Sequence, residues 1–326
     1  MFGCSTNKAA SVLNDAQTVH KLFNLALRKD FKTGKTNTVT TTRTKDIGNN
    51  LIILDEASML DMSMLKHVDN YTPKAKVILV GDEYQLPPIG SSTVPAFSQG
   101  YPEAVLTEPM RQDKDSHVFK EISKLRQAVI EGTPYEVKAG EGITFLNGSA
   151  FKQAIKESFT RQEDARVLAY TNVQVEGYNK FIRSHLHGTS EFCEGDLVVA
   201  ANSCDGTAKI EMTYRITSIS EDEVTLDDGI TYKIPKNKNA WFRLIKDAER
   251  EGSKSGDWKR YFALKDGFLD IRDAFACTVN KSQGSTYNKV FIDQQNLNTC
   301  FDKSTLLRLL YVANSRTQAE IIIYKG

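Results

Sequence analysis

The sequence predicts an α/β protein built on parallel sheets, with a small antiparallel β module inserted in its second half. Three observations predict it. "LIIL" (51–54) and "KVILVGD" (76–82) are short continuous apolar runs ending in acidic residues, the pattern of strands buried on both faces of a parallel sheet. "DSHVFKEISKLRQAVIEG" (115–132) is an amphipathic helix: Val118, Ile122, Leu125 and Val129 share one face, Ser116 can cap the start and Gly132 suits the end. From about residue 190, "GDLVVA" and "TYRITSISEDEVTLDDGITYKIP" alternate apolar and polar residues, with turn signals at Asp205–Gly206 and Asp228–Gly229.

Ahead of the first apolar run, "KDFKTGKTNTV" (29–39) contains Gly34, Lys35 and Thr36. Gly-Lys-Thr ends the phosphate-binding loop G-x-x-x-x-G-K-[ST], which follows a buried strand and opens a helix. The first glycine of that motif would stand at position 29, which is Lys29. The preceding "LFNLALRKDF" has no short β-branched run, and the threonine-rich "NTVTTTRTK" that follows suits a strand better than a helix. The tripeptide therefore reads as a hairpin tip, with Gly34 supplying the turn between two polar strands. "SMLDMSMLKHV", between the two apolar runs, is the crossover helix a parallel pair requires. After helix 115–132 a second α/β pattern follows: helix "FKQAIKESF", strand "RVLAYTN", helix "VEGYNKFIRSHL". Beyond the alternating region come a charged helix and loop, "DAEREGSKSGDWKR". Strand–helix patterning returns at "AFACTVNKSQGS" and runs to "EIIIYKG", so the β module interrupts one α/β domain. Such insertions are tolerated where their two ends lie close together.

A chain of 326 residues is long enough for two or three domains. A net charge of +1 announces no global basic field, although a groove can be locally basic. No apolar run reaches the length of about 18 residues that a spanning helix needs, and "MFGCSTNKAASVL" is not a signal peptide. Cys4, Cys193, Cys204, Cys277 and Cys300 are scattered without a C-x-x-C pair, which argues against zinc or a disulfide framework and for a reducing cytoplasm.

Two strand ends carry candidate chemistry. "LIILDEAS" sets Asp55 and Glu56 just past the C-terminal end of a strand, the edge where open α/β sheets bind ligands. "VILVGDEYQLPPIG" ends a second strand in Gly81–Asp82, followed by Gln85 and Pro87–Pro88. With these strings the sequence resembles superfamily 1 helicases, in their RecD/Dda-like branch. "LDEAS" looks like motif II and "GDEYQLPPIG" like motif III. The others occur in family order: "CSTNKAASVL" (4–13) is similar to motif Ia, and "AQTVHKLF" (16–23) to the T-I-H-x-L element. "LTEPMRQ" (106–112) resembles motif IV, "RVLAYTNVQVEGYN" (166–179) the strand opening the second motor domain, "CTVNKSQGST" (277–286) motif V and "LLYVANSR" (309–316) motif VI. Asn280 replaces the usual histidine of motif V and Ser315 the usual threonine of motif VI; both keep hydrogen-bonding capacity.

The resemblance implies two RecA-like motor domains. The first would occupy 1–108, with a strand-separating pin hairpin at about 24–49; the second would occupy 109–189 and 269–326, interrupted by an SH3-like module at 190–268. It implies ATP and Mg²⁺ between the motor domains. Asp55 would hold Mg²⁺, Glu56 would activate water, Gln85 would sense the γ-phosphate, and Arg111 and Arg316 would neutralise developing charge. Gly81, Asp82, Gln283 and Gly284 would border the nucleotide. Single-stranded DNA, moved 5′ to 3′, would meet Thr6, Asn7, Thr18, His20, Pro88, Thr278, Asn280 and Lys281. Phe31 in the pin is either a wedge that stacks on a base at a duplex junction or an aromatic packed on its own domain. Replication, recombination or repair in a bacterial or phage-infected cytoplasm is the implied setting. The family's phosphate loop lies ahead of motif Ia, and these 326 residues begin at motif Ia. The expectation is therefore weak ATP turnover by this chain alone. A companion polypeptide carrying the loop, a truncated or misplaced start, and an ATP-independent single-stranded-DNA-binding accessory protein are the competing explanations. A metal-dependent nuclease using Asp55 and Glu56 would need further carboxylates that the motifs do not offer.

Overall fold

The computed structural model describes residues 1–41, 47–88, 90–106 and 111–326. The expected domain boundary at 108/109, the middle of the motif IV string and part of the region assigned to the pin lie outside the described residues. The chain divides into two compact units: Met1–Asp55 with Lys66–Ile78 and Glu191–Ala274, and Glu56–Leu65 with Leu79–Ser190 and Phe275–Gly326.

In the first unit, a sheet has the strand order Gln17–Thr18, Phe2–Cys4, Leu51–Asp55, Lys76–Leu79. Phe2–Cys4 pairs in parallel with both Gln17–Thr18 and Leu51–Asp55. Ile52 and Leu54 are fully buried, whereas Leu51 is 49% and Ile78 47% exposed. Burial of these strands on both faces is thus corrected: successive side chains point to opposite faces, and among the described residues one face of Leu51–Asp55 is fully covered and neither face of Lys76–Leu79 is. Leu25–Lys29 and Thr36–Thr40 form an antiparallel hairpin. Asp30 ties its tip, accepting from the Lys32 amide at 2.9 Å and the Thr33 hydroxyl at 2.6 Å, bonds that hold its carboxyl below the usual range. Gly34 sits at φ +70°, and a Cβ there would lie 2.4 Å from the Trp258 ring, so glycine is required on both counts. The turn itself is Phe31–Thr33, Gly34 and Lys35 lead out of it, and Thr36 opens a strand, not a helix, so the string is part of a hairpin tip and the expected turn at Gly34–Thr36 is displaced toward Phe31.

The β module is a five-stranded antiparallel sheet, ordered Thr231–Lys233, Glu223–Leu226, Thr213–Ile219, Leu197–Ala200, Ile271–Asp273. Its alternation buries Val198, Ala200, Tyr214, Ile216, Val224, Leu226, Tyr232 and Ile271 together. The sheet reaches Asp273, past the expected limit near 268, because Ile271 completes this core. Gly229, at φ +80°, makes the expected Asp-Gly turn between two of its strands. Helices Lys238–Ser255 and Lys259–Asp266 belong to the same insertion.

In the second unit, a fully parallel sheet has the order Ala276–Thr278, Ala165–Ala169, Tyr287–Asp293, Thr317–Tyr324, Ile143–Leu146. Strands from before and after the module interleave, so the module interrupts this sheet's chain. Helices His117–Glu131 and Lys303–Asn314 contribute to one apolar cluster, and Gly148–Thr160 and Asn172–His187 to another. Helix His117–Glu131 is capped by the Ser116 hydroxyl and by Gly132 at φ +67°, as its sequence predicts.

That helix also carries a buried carboxylate. Glu121, 1% exposed, accepts from Lys124 Nζ at 2.8 Å, the Tyr135 hydroxyl at 2.7 Å and the Lys138 amide at 2.8 Å. Burial raises its pKa, but these donors outweigh it and the net shift is downward. Glu121→Ala orphans the Tyr135 hydroxyl and the Lys138 amide, and is expected to cost about 3 kcal/mol in urea unfolding at pH 7. A carboxylate with a depressed folded pKa stabilises above its unfolded value. The gap between parent and variant should therefore close as pH falls through the carboxyl range.

Among the described residues, no helix is long and apolar enough to cross a membrane.

Candidate functional site

Asp55 ends strand Leu51–Asp55, with its Cα in register with Cys4. Glu56 follows with left-handed backbone angles, φ 51° and ψ 39°, at a cost of about 1–2 kcal/mol for a residue with a Cβ. The turn that follows is held by the Ala57 amide, which donates to Val80 O at 2.8 Å. Gly81 has a packing reason here. A Cβ would come within 3.2 Å of both the Ala57 and Ser58 amide nitrogens, so a larger residue at 81 would push the two strand-end loops apart by a few tenths of an ångström.

Glu56, Asp82, Gln85, Arg111, Gln283, Gly284 and Arg316 all belong to the second unit. Arg316, just past helix Lys303–Asn314, is 1% exposed. Its Nε donates to Val312 O at 3.1 Å and its Nη2 to Ser315 Oγ at 2.8 Å. Burial pushes its pKa down to about 10; the charge of Arg111 adds to this, and Glu56 opposes it. Arg111 donates through Nη1 to Ser315 O at 2.7 Å and through Nε to Thr286 Oγ1 at 3.0 Å, and Gln112 donates to Thr317 O. Desolvation lowers the Arg111 pKa too, again against Glu56. Burying the Arg316 guanidinium is costly, and an anion that neutralises it repays part of that cost. Polyphosphate is such an anion, and guanidinium is the side chain best shaped to bind it.

Gln85 is half-buried, and its Oε1 is buried with no hydrogen-bond partner. Such an acceptor suits a donor on a ligand or a water. Gln283, 5% exposed, donates to Leu86 O at 3.4 Å, and Gly284 turns the chain at φ +70°. Among the described residues no group of three or more His, Cys, Asp or Glu could hold a metal ion.

The proposed DNA residues fall into two groups, one in each unit. In the first, the Thr6 hydroxyl accepts from the Ala9 amide at 3.1 Å and that of Thr18 from the Lys21 amide at 3.3 Å, so both cap short helices. Asn7 donates to Ile210 O of the module at 3.4 Å, and His20 Nε2 lies 3.3 Å from Thr38 Oγ1 of the hairpin. Phe31 is 46% exposed; its ring meets Phe262 edge-on at 5.4 Å, and its carbonyl accepts from the Trp258 amide at 3.0 Å. Both readings of Phe31 thus keep a face: one side packs on the module and the other is open. In the second group, Pro88 is buried, Thr278 is 7% exposed with its hydroxyl accepting from the Lys281 amide at 3.4 Å, and Asn280 and Lys281 are half-buried on a single turn.

Sequence reasoning missed three residues. Arg308 and Tyr311, one helical turn apart, and Arg126 all grip the Asp82–Leu86 loop. The only available signal was the spacing of Arg308 and Tyr311 on the helix that leads to Arg316.

Two family profiles match the chain in order: an AAA domain over residues 3–141 and a UvrD-like helicase C-terminal domain over residues 273–324. An uncharacterized protein of Acanthamoeba polyphaga mimivirus is 22% identical over 403 aligned residues, covering 93% of this chain and 81% of that protein. The RecBCD enzyme subunit RecD of Buchnera aphidicola subsp. Schizaphis graminum is 21% identical over 84% of this chain, which spans about half, 54%, of that subunit's length. The crystal structure of the Pif1 helicase from Bacteroides in complex with ADP-AlF3 and ssDNA shares the fold. Its TM-score is 0.54 at 15% identity, with 100% of this chain and 82% of that chain covered. The parallel sheets are consistent with two RecA-like domains carrying antiparallel additions. With these two profiles in this order and on this fold, the chain is similar to the RecD/Pif1-like helicases of superfamily 1.

Proposed function

We propose that the chain is the motor of an ATP-dependent DNA helicase that moves 5′ to 3′ along single-stranded DNA. These 326 residues contain no G-x-x-x-x-G-K-[ST] string, so the nucleotide site would need a strand-plus-loop segment to grip the phosphates. The observation that carries this reading is the buried Arg316, beside Arg111 and in the field of Glu56. ATP with Mg²⁺ supplies the γ-phosphoryl group and the charge-neutralising cation. Asp55 holds the metal side, Glu56 orients and deprotonates the attacking water, and Gln85 accepts from that water through Oε1. Arg111 and Arg316 stabilise the charge spreading over the equatorial oxygens. The hairpin at Leu25–Thr40 separates strands at a duplex junction. Lys76–Leu79 is an edge strand of its sheet, with the apolar Ile78 and, just past its end, Val80 exposed. An added apolar strand leading into a phosphate loop would pair there.

The test is ATP hydrolysis with and without single-stranded DNA, by these residues alone and with an added strand-plus-loop segment. Slow turnover alone and DNA-stimulated turnover at least about 100-fold faster with the segment is the expected result, since the loop's amides and lysine supply most of the phosphate grip. Fast turnover by the 326 residues alone would place that grip within them and end the split-site reading. Tight DNA binding without turnover in either form would favour an ATP-independent DNA-binding accessory.

A further inference from the structure

We infer that Arg308 is a positioning residue for Gln85; the inference rests on the hydrolase reading above. Arg308 Nη1 donates to Glu83 O and to Gln85 O, each at 2.6 Å. One nitrogen with two N–H groups thus bridges two carbonyls of a single turn. The neighbouring grips come from the same helix and from the one packed beside it. The Tyr311 hydroxyl donates to Asp82 Oδ2 at 2.6 Å, and Asp82 Oδ1 accepts from the Tyr84 amide at 3.0 Å. The Arg126 guanidinium lies 4.6 Å over the Tyr84 ring and 3.9 Å from Asp82 Oδ1.

Every residue from Asp82 to Gln85 is therefore tied to helix Lys303–Asn314 or helix His117–Glu131. Arg316 follows the first of these helices directly. Gln85 and Arg316 are thus referenced to one rigid element, Gln85 through the two Arg308 bonds. What those bonds fix is the backbone that aims the unpartnered Gln85 Oε1. Loss of Arg308 leaves two carbonyls without their donor and lets the loop drift. The side chains that grip phosphate stay in place, so the effect belongs to the chemical step and not to nucleotide affinity.

Two readouts test this. In the 326-residue chain, Arg308→Ala is expected to raise amide hydrogen exchange across residues 83–86 by about 5-fold or more, with helix His117–Glu131 unchanged and Arg308→Lys intermediate. In the form of the chain that turns over ATP, Arg308→Ala should lower kcat about 10-fold at unchanged KM for ATP, and Arg308→Lys should recover much of that loss. Unchanged exchange overturns the inference; so does raised exchange with unchanged kcat, which would make the contact merely structural. A Glu56→Gln control separates the two claims. If that variant hydrolyses ATP like the parent, the hydrolase reading fails, while the exchange result still decides whether Arg308 holds the loop. Absence of turnover in every form removes both the reading and the role of Gln85 that rests on it.

Discussion

Arg316→Met lowers DNA-stimulated ATP turnover by about 10³-fold or more and leaves the nucleotide-free fold at least as stable as the parent; both halves are expected together. The first half is the usual worth of a guanidinium that meets charge only in the transition state. The second follows from burial. The Arg316 pKa is pushed down to about 10, with desolvation the main cause and Arg111 the next. A base with a depressed folded pKa binds its proton less readily in the fold than in the unfolded chain. Its charge therefore destabilises the fold at neutral pH, and the penalty fades only as pH rises above about 10 towards the ordinary arginine value. That depression corresponds to a cost on the order of 3 kcal/mol at pH 7, part of which the bonds to Val312 O and Ser315 Oγ return. Methionine keeps much of the volume and carries no charge, so a net gain of about 1 kcal/mol is expected. Thermal unfolding without nucleotide and steady-state turnover check the pair. A fall in Tm of several degrees alongside lost activity would make Arg316 a structural residue and remove the main support for the nucleotide site.

The parts of this site that were legible in the sequence are those that depend on local pattern. An apolar run that stops in Asp-Glu or Gly-Asp marks a strand end, and Asp55, Glu56, Asp82 and Gln85 stand where those strings put them. Ser116 and Gly132 bracket their helix because capping is a contact within one turn. The alternation after residue 190 gave the module, since period 2 has one structural meaning at that length. What failed to show depends on partners distant in the chain. The run "KVIL" reads as buried on both faces, yet Ile78 is half exposed, because covering a face takes a separate element that the run itself cannot specify. Glycine at 34 announces a turn; that the turn sits under Trp258 depends on a contact more than two hundred residues away in sequence. Arg308 looks like any exposed cation on an amphipathic helix, and only the fold brings Glu83 O and Gln85 O to it.

Trp258→Ala is expected to cut the rate of strand separation on a forked duplex about 10-fold while single-stranded-DNA-stimulated ATP turnover stays within about two-fold of the parent. A two-stranded hairpin is marginally stable in water by itself, and a pin that bends cannot hold two DNA strands apart. Here the tip is clamped. Trp258 donates its amide to Phe31 O at 3.0 Å and packs over Gly34, the Phe31 and Phe262 rings meet at 85°, and Lys29 Nζ lies 2.7 Å from Asp266 Oδ2. The ion pair is partly exposed and worth less than about 1 kcal/mol, so Lys29→Met should slow separation only slightly. The aromatic packing is the larger part, which is why the tryptophan carries the prediction. Phe31→Ala then separates clamp from wedge. If the open face of Phe31 stacks on a base, this variant loses strand separation as Trp258→Ala does but keeps the hairpin's protection from amide exchange, whereas Trp258→Ala loses both. Equal loss of ATP turnover and strand separation in Trp258→Ala would mean that the module supports the motor itself, and that the hairpin is no pin.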